Sequence, residues 1–124
     1  MRKITKDSIN AFMNAQKFKR QNMEVEVLPN VTILYLHGNA IAYRYNDPER
    51  TLTITNCQWF SNTTKERLNA LPNVNIVQKN FVWYLNDKEW DGRKTDINGL
   101  KQENTKTDEL ADRYYKQILK KINK

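Results

Sequence analysis

The sequence holds one cysteine, one histidine, three glycines and three prolines in 124 residues, and each scarcity closes off a class of protein. Cys57 has nothing to pair with inside the chain, so a disulfide framework is excluded and a reducing compartment is the simpler setting. With His37 as the sole histidine, no zinc site of the usual nitrogen and sulfur kind can be assembled within one chain. Gly38, Gly92 and Gly99 do not make a glycine-rich loop able to cradle phosphate. No run approaches the roughly 18 consecutive apolar residues that a membrane span needs. The basic start MRKITKDSIN is not followed by an apolar stretch, so a secretory signal is not expected. Neither a metal nor a cofactor is expected.

Two weaker chemical constellations are present. A Cys57–His37 dyad would pair a nucleophile with a base, but Cys57 stands at the end of a strand among large apolar neighbours, the usual setting of a structural cysteine. Asp87, Glu89 and Asp91 cluster, yet a glycosidase or two-metal pair needs acids converging in a cleft. These acids alternate with Lys88 and Trp90 beside a turn, which fits a solvated loop better. An enzyme is not expected.

What the chain has in quantity is positive charge, asparagine and aromatic side chains. The net charge is +7, with 12 Lys/Arg against 9 Asp/Glu in residues 1–92 and 9 against 5 in residues 93–124. Such a surplus permits contact with nucleic acid or another acidic surface, and equally serves solubility. Sixteen asparagines are spread along the chain, many at turn-like places such as Asn30, Asn39, Asn46, Asn80 and Asn86. All three tryptophans, Trp59, Trp83 and Trp90, fall in residues 51–92.

Hydrophobic periodicity predicts an α+β domain over residues 1–92, a polar linker over 93–106 and a C-terminal amphipathic helix over 107–124. The first element is a helix over residues 6–20, with Thr5 as N-cap, Asp7 in its first turn and Ile4 and Ile9 as a hydrophobic staple. Its basic end, Lys17, Lys19 and Arg20, fits compensation of the helix dipole, with a phosphate or partner contact as the alternative. Alternating segments at 23–27, 31–37, 40–45 and 51–55 predict a four-stranded antiparallel meander. Thr63-Thr64-Lys65-Glu66 spells a capping box for a short helix that Pro72 stops, with Lys65 and Arg67 turned to solvent. Residues 74–78 and 81–85 form a β-hairpin across Lys79-Asn80. In the last helix Ala111, Tyr114, Ile118 and Ile122 make a stripe flanked by Tyr115, free to dock on the domain, pair with another copy as a homodimer, or meet a partner.

Two binding surfaces follow. A protein partner would use Trp59, Trp83, Tyr84, Trp90, Tyr114 and Tyr115, since aromatic anchors dominate such interfaces. DNA or RNA would use Lys17, Lys19, Arg20, Arg44, Lys65, Arg67, Lys79 and Lys88, interleaved with aromatics that can stack on bases.

LHGN at residues 36–39 followed by Ile41-Ala42, TKERLNALPNV at 64–74 and WYLNDKEWDG at 83–92 resemble, in that order and spacing, a family of small tailed-bacteriophage proteins. The likeness covers residues 4–92, with residues 93–124 expected as an extension. The family brings no established activity, so no residue roles come with it. The resemblance implies a phage protein made in the host bacterial cytoplasm. Small accessory phage proteins often block host defence or redirect host machinery. The expectation is therefore a non-enzymatic inhibitor or modulator of a host protein or nucleoprotein complex, of an anti-defence or anti-CRISPR kind. Direct nucleic-acid binding is the alternative, and a minor assembly component a third.

Overall fold

A computed structural model describes residues 2–97. The expected terminal helix, with Tyr114 and Tyr115, and residues 98–106 of the expected linker lie outside the described residues. The fold is α+β with antiparallel sheets.

The chain opens with α1 (Lys3–Met13), earlier and shorter than the periodicity predicts. Thr5 is therefore not its cap but a buried residue of its first turn, and Ile4 and Ile9 both point into the core from within the helix. The helix stops at Met13 because Ala15 takes a left-handed conformation, φ 52°. The Ala15 amide then donates to Phe12 O at 3.3 Å and the Gln16 amide to Ala11 O at 2.8 Å, a Schellman closure without its usual glycine. Residues 18–20, expected as helix, instead form the edge strand β1 (Phe18–Arg20).

Next come β2 (Met23–Val27), β3 (Val31–Leu36), β4 (Asn39–Tyr45) and β5 (Leu52–Ile54), which pair in sequence order as the expected meander. With β1 on one side, and β9 (Thr95–Asp96) beside β5, the sheet has six strands. Part of the expected linker is thus an edge strand, and Ile97 behind it is fully buried. A register shift opposite Leu34 and Tyr35 leaves Ile41 as the extra residue of a bulge. Ile41 and Ala42, neighbours in sequence, are both buried as a result.

After β5 a loop leads to α2 (Asn62–Asn69), and the smaller sheet follows with β6 (Ile76–Lys79), β7 (Val82–Leu85) and β8 (Lys88–Glu89). Its two hairpins turn on Asn80-Phe81 and Asn86-Asp87, with positive φ at both positions of each, the type I′ pattern that matches strand twist. The first turn lies one residue later than expected, because Lys79 pairs with Val82 as the last rung of the ladder.

One core joins these layers. Phe12 from α1, Met23, Leu34 and Ile54 from the large sheet, Leu68 from α2, and Trp83 and Trp90 from the small sheet region all belong to it. Asn69 ties α2 to β6 in the manner of a strand, accepting from the Ile76 amide at 2.6 Å and donating to its carbonyl at 3.0 Å.

Candidate functional site

The loop between β5 and α2 is set by two short side chains and one glycine. Thr55 Oγ1 donates to Gly92 O at 2.6 Å and accepts from the Cys57 amide at 3.1 Å. Asn56 is fully buried: its amide donates to Gly92 O at 3.1 Å, and its Oδ1 accepts from the Gln58 amide at 2.7 Å. Cys57 and Gln58 both take positive φ, and the Trp59 amide closes the turn onto Asn56 O at 2.8 Å. Gly92 is needed here because a Cβ at this position would overlap the Asn56 side-chain amide.

This tight turn throws two aromatic rings outward. Trp59 is 60% exposed and Phe60 50% exposed. Phe60 meets the ring of Trp83 edge-on at 5.1 Å, so one side of it is anchored while the other faces solvent. Ser61 then caps α2, accepting from the Thr64 amide at 3.1 Å.

Beside Trp59 lies a cleft of about 390 Å³. Leu36 and Ile41 supply apolar wall, His37 and Asn39 come from the β3–β4 turn, Asn56 and Trp59 from the loop, and Ser61, Thr63 and Thr64 from the start of α2. Asn56 Nδ2 is buried and finds no hydrogen-bond acceptor among the described residues. Sequence reasoning missed Asn56 because nothing local marks it. Its burial depends on Gly92, far along the chain.

The expected capping box does not form. Glu66 turns away from the helix start and accepts the Thr5 hydroxyl at 2.8 Å on both oxygens. It also pairs with Arg67. Burial raises the Glu66 carboxyl, but the hydrogen bonds from Thr5 and Arg67 outweigh it and hold the pKa below the usual glutamate value. Arg67, expected in solvent, is 1% exposed because Thr5, Glu66, Asn22 and Met23 receive its guanidinium.

Of the expected aromatic contacts, Trp59 is exposed, Tyr84 half-buried, and Trp83 and Trp90 buried. The two buried rings stack at 6.3 Å, and the Trp90 indole donates to Thr95 Oγ1 at 2.9 Å, so they are core rather than surface. Phe60 and Phe81 were not anticipated. Phe81 sits in a hairpin turn at 94% exposure.

The expected phosphate-binding residues are not gathered on one face. Arg67 is buried, and Arg44 reaches back to cap α1, donating to Met13 O at 2.7 Å. Burial, and then the nearby Arg50, lower the Arg44 pKa. Arg20 lies 5.0 Å over the Phe18 ring and pairs with Asp7. Lys65 donates to Gln78 at 2.9 Å beside the Trp83 ring. Lys17 and Lys19 are exposed near β1, whereas Lys79 and Lys88 flank opposite ends of β7.

Cys57 is half-buried, and its thiol donates to Ala40 O at 3.0 Å. Burial pushes its pKa up, against the pull of Lys94, the opposite of what a nucleophile needs. Among the described residues no group of three acidic, histidine or cysteine side chains is placed to hold a metal, and no helix is long and apolar enough to cross a membrane.

No curated protein and no solved structure matches the chain. A family model does: that of the Kyanoviridae Gp96 protein, over residues 1–117. The match runs well past residue 92, so residues 93–117 are part of the family pattern rather than the expected extension. Because that match spans nearly the whole sequence, the chain is a phage protein and belongs to the Kyanoviridae Gp96 family.

Proposed function

We propose that this phage protein acts by binding, without chemistry of its own, to a host protein or nucleoprotein complex in the bacterial cytoplasm. Its contact surface is the Trp59–Phe60 ridge beside the cleft, and its effect is to inhibit or modulate the partner, as an anti-defence factor does. One observation carries this reading: Trp59 and Phe60, adjacent in sequence, are 60% and 50% exposed on a loop that a set of hydrogen bonds from Thr55, Asn56, Cys57 and Gln58 holds in place. Large rigid aromatics at a fixed position are the usual anchors of protein interfaces. Exposing them to water brings the isolated domain no stability.

The basic residues support the same choice. Among the described residues, Arg67 is buried, Arg44 is engaged in capping α1 and Arg20 is paired with Asp7, so these three expected phosphate contacts are already committed within the fold. Direct nucleic-acid binding keeps one specific support. On the outer face of the large sheet Tyr43 and Tyr45 stack at 6.3 Å, with Lys94 Nζ at 4.6 Å over Tyr43.

The test is capture from host lysate with tagged full-length protein, before and after nuclease. The expected result is a stoichiometric protein that survives nuclease and modest salt and is lost with Trp59→Ala. Recovery of nucleic acid alone, with affinity falling about one log unit per log unit of salt for each phosphate contacted, would establish the second reading instead.

A further inference from the structure

We infer that the outer face of the large sheet is the docking surface for the chain's own C-terminal segment, residues 107–124. The Tyr114–Ile118 stripe of that segment meets Ile33, Tyr35 and Tyr43, and its lysine-rich end comes to rest beside Glu24 and Glu26.

The face calls for a cover. In β3, Leu34 and Leu36 enter the core, while Val31, Ile33 and Tyr35 alternate with them to the other side, beside Tyr43 and Tyr45 of β4. None of these five belongs to the core cluster. An antiparallel sheet with one solvated face reads apolar inward and polar outward, whereas strands apolar on both sides are the pattern of a sheet covered on both. Among the described residues, α1, α2 and the small sheet all contribute to the one core on the opposite side, so no described helix covers this face.

The occupant follows from where the chain leaves and from charge. β9 pairs with β5 at the edge of this same sheet, so the next residues start beside the face. Tethering raises their effective concentration far above that of a second copy or a free partner. Four strand spacings, about 19 Å, separate β9 from β2. Residues 98–106 can reach about 30 Å, and a helix over 107–124 covers about 27 Å, so the segment spans the face. Glu24 and Glu26 stand on the face opposite Tyr35 and Ile33, and among the described residues neither forms an ion pair. Residues 113–124 bring Arg113 and four lysines with no acid. The acids of the segment, Asp108, Glu109 and Asp112, come first, on the side of Lys94, whose Nζ lies 4.6 Å over the Tyr43 ring. The same two glutamates repel a phosphate backbone, and in a symmetric sheet-to-sheet dimer they would face their own copies.

The test uses the full chain labelled with ¹⁵N, with Cys57→Ser and Gln117→Cys so that a nitroxide sits at residue 117. The expected result is that the backbone amides of Ile33, Tyr35 and Tyr43 lose at least half their intensity relative to the reduced nitroxide, while those of Val77 and Trp83 in the small sheet keep theirs. Ile118→Asp in the same labelled chain should restore the lost intensity, and Glu24→Lys with Glu26→Lys should restore part of it. No loss at the sheet, or an equal loss on every face, overturns the assignment. So does the same loss in a mixture of nitroxide-bearing ¹⁴N chains with nitroxide-free ¹⁵N chains, which would give the face to a second copy. Should the Cys57→Ser chain fail to fold, carbodiimide cross-linking of the wild-type protein decides. Amide links from Lys116, Lys120 or Lys121 to Glu24 or Glu26 are expected in the monomer, and their absence there, or their presence only in the dimer, overturns the docking.

Discussion

Arg67 Nη1 donates to the Thr5 hydroxyl at 2.8 Å, joining the first turn of α1 to α2 across 62 positions of sequence. The Thr5 hydroxyl in turn donates a hydrogen bond to Glu66, and the rest of the guanidinium is satisfied by Asn22 Oδ1 and Met23 Sδ, each at 3.2 Å. A buried cation so enclosed is costly to bring in and costlier to half-remove. Arg67→Ala is expected to lower stability by about 3 kcal/mol, since it strands Thr5 and Glu66 as well as leaving a cavity. Thr5→Val should cost less, about 1–2 kcal/mol. Urea unfolding midpoints of the two variants check the order.

The same cluster sets a pH dependence. Glu66 is held below its ordinary pKa in the folded state, by Thr5 and Arg67 against the upward pull of burial. The unfolded chain therefore takes up the proton first as pH falls. Stability from this group is complete above the ordinary glutamate range and is lost as pH drops through the depressed folded value. Glu66→Gln removes that part of the acid sensitivity. Thermal midpoints measured from neutral pH to about pH 3 should fall less steeply for the variant than for the wild type; parallel curves would show that Glu66 does not titrate abnormally.

Gly92 and Gly38 both take positive φ, yet their surroundings separate them. At Gly38, φ 79°, an added Cβ meets nothing within 4 Å, so Gly38→Ala should cost only the left-handed penalty, about 1 kcal/mol. At Gly92, φ 92°, the Cβ would overlap the Asn56 side-chain amide, which cannot move without losing its bond to Gln58. Gly92→Ala should cost on the order of 3 kcal/mol and disturb the Trp59 turn. Unfolding curves give the first quantity and Trp59 fluorescence the second.

Where the sequence was legible, period and pattern carried it. The alternation of Met23, Val25 and Val27 and the apolar run from Val31 placed the meander, because period 2 and a buried face specify a strand together. Boundaries were less legible because the described residues mark most of their turns without glycine. Among the described residues eleven non-glycine residues take positive φ, including Ala15, Cys57, Gln58 and Phe81, types that ordinarily argue against a turn. With no glycine at Ala15, the end of α1 was invisible and its periodicity ran on into β1. The candidate site was least legible. Asn56, Gly92 and the buried Arg67 acquire their roles from partners tens of residues away, and local spacing holds no record of that. Trp83 and Trp90 illustrate the converse: composition marked them as notable, but only packing shows that they are core.

Ala15 supplies its own check. An alanine held at φ 52° pays a conformational penalty that glycine avoids, while the Schellman bonds to Phe12 and Ala11 are made by the backbone and do not depend on the side chain. Ala15 is also exposed, so nothing packs against its methyl group strongly enough to offset the gain. Ala15→Gly should stabilise the protein by about 0.5–1 kcal/mol, seen as a higher urea midpoint at unchanged slope.

Trp59 and Trp83 make the sharpest functional contrast, since one ring stands in solvent and the other is buried in the core. Phe60 bridges them: it follows Trp59 in sequence and packs on Trp83 at 5.1 Å. Trp83, 2% exposed, should cost about 3–5 kcal/mol when cut to alanine, through lost burial and a cavity. Trp59, 60% exposed, should change stability by no more than about 0.5 kcal/mol. If the ridge is the contact surface, partner capture must show the reverse ranking once folding is accounted for. Trp59→Ala should abolish capture while unfolding like the wild type, and Trp83→Phe, which keeps an aromatic ring in the core, should retain it. Capture that follows stability alone, falling with Trp83→Phe and surviving Trp59→Ala, would assign the binding surface elsewhere on the domain.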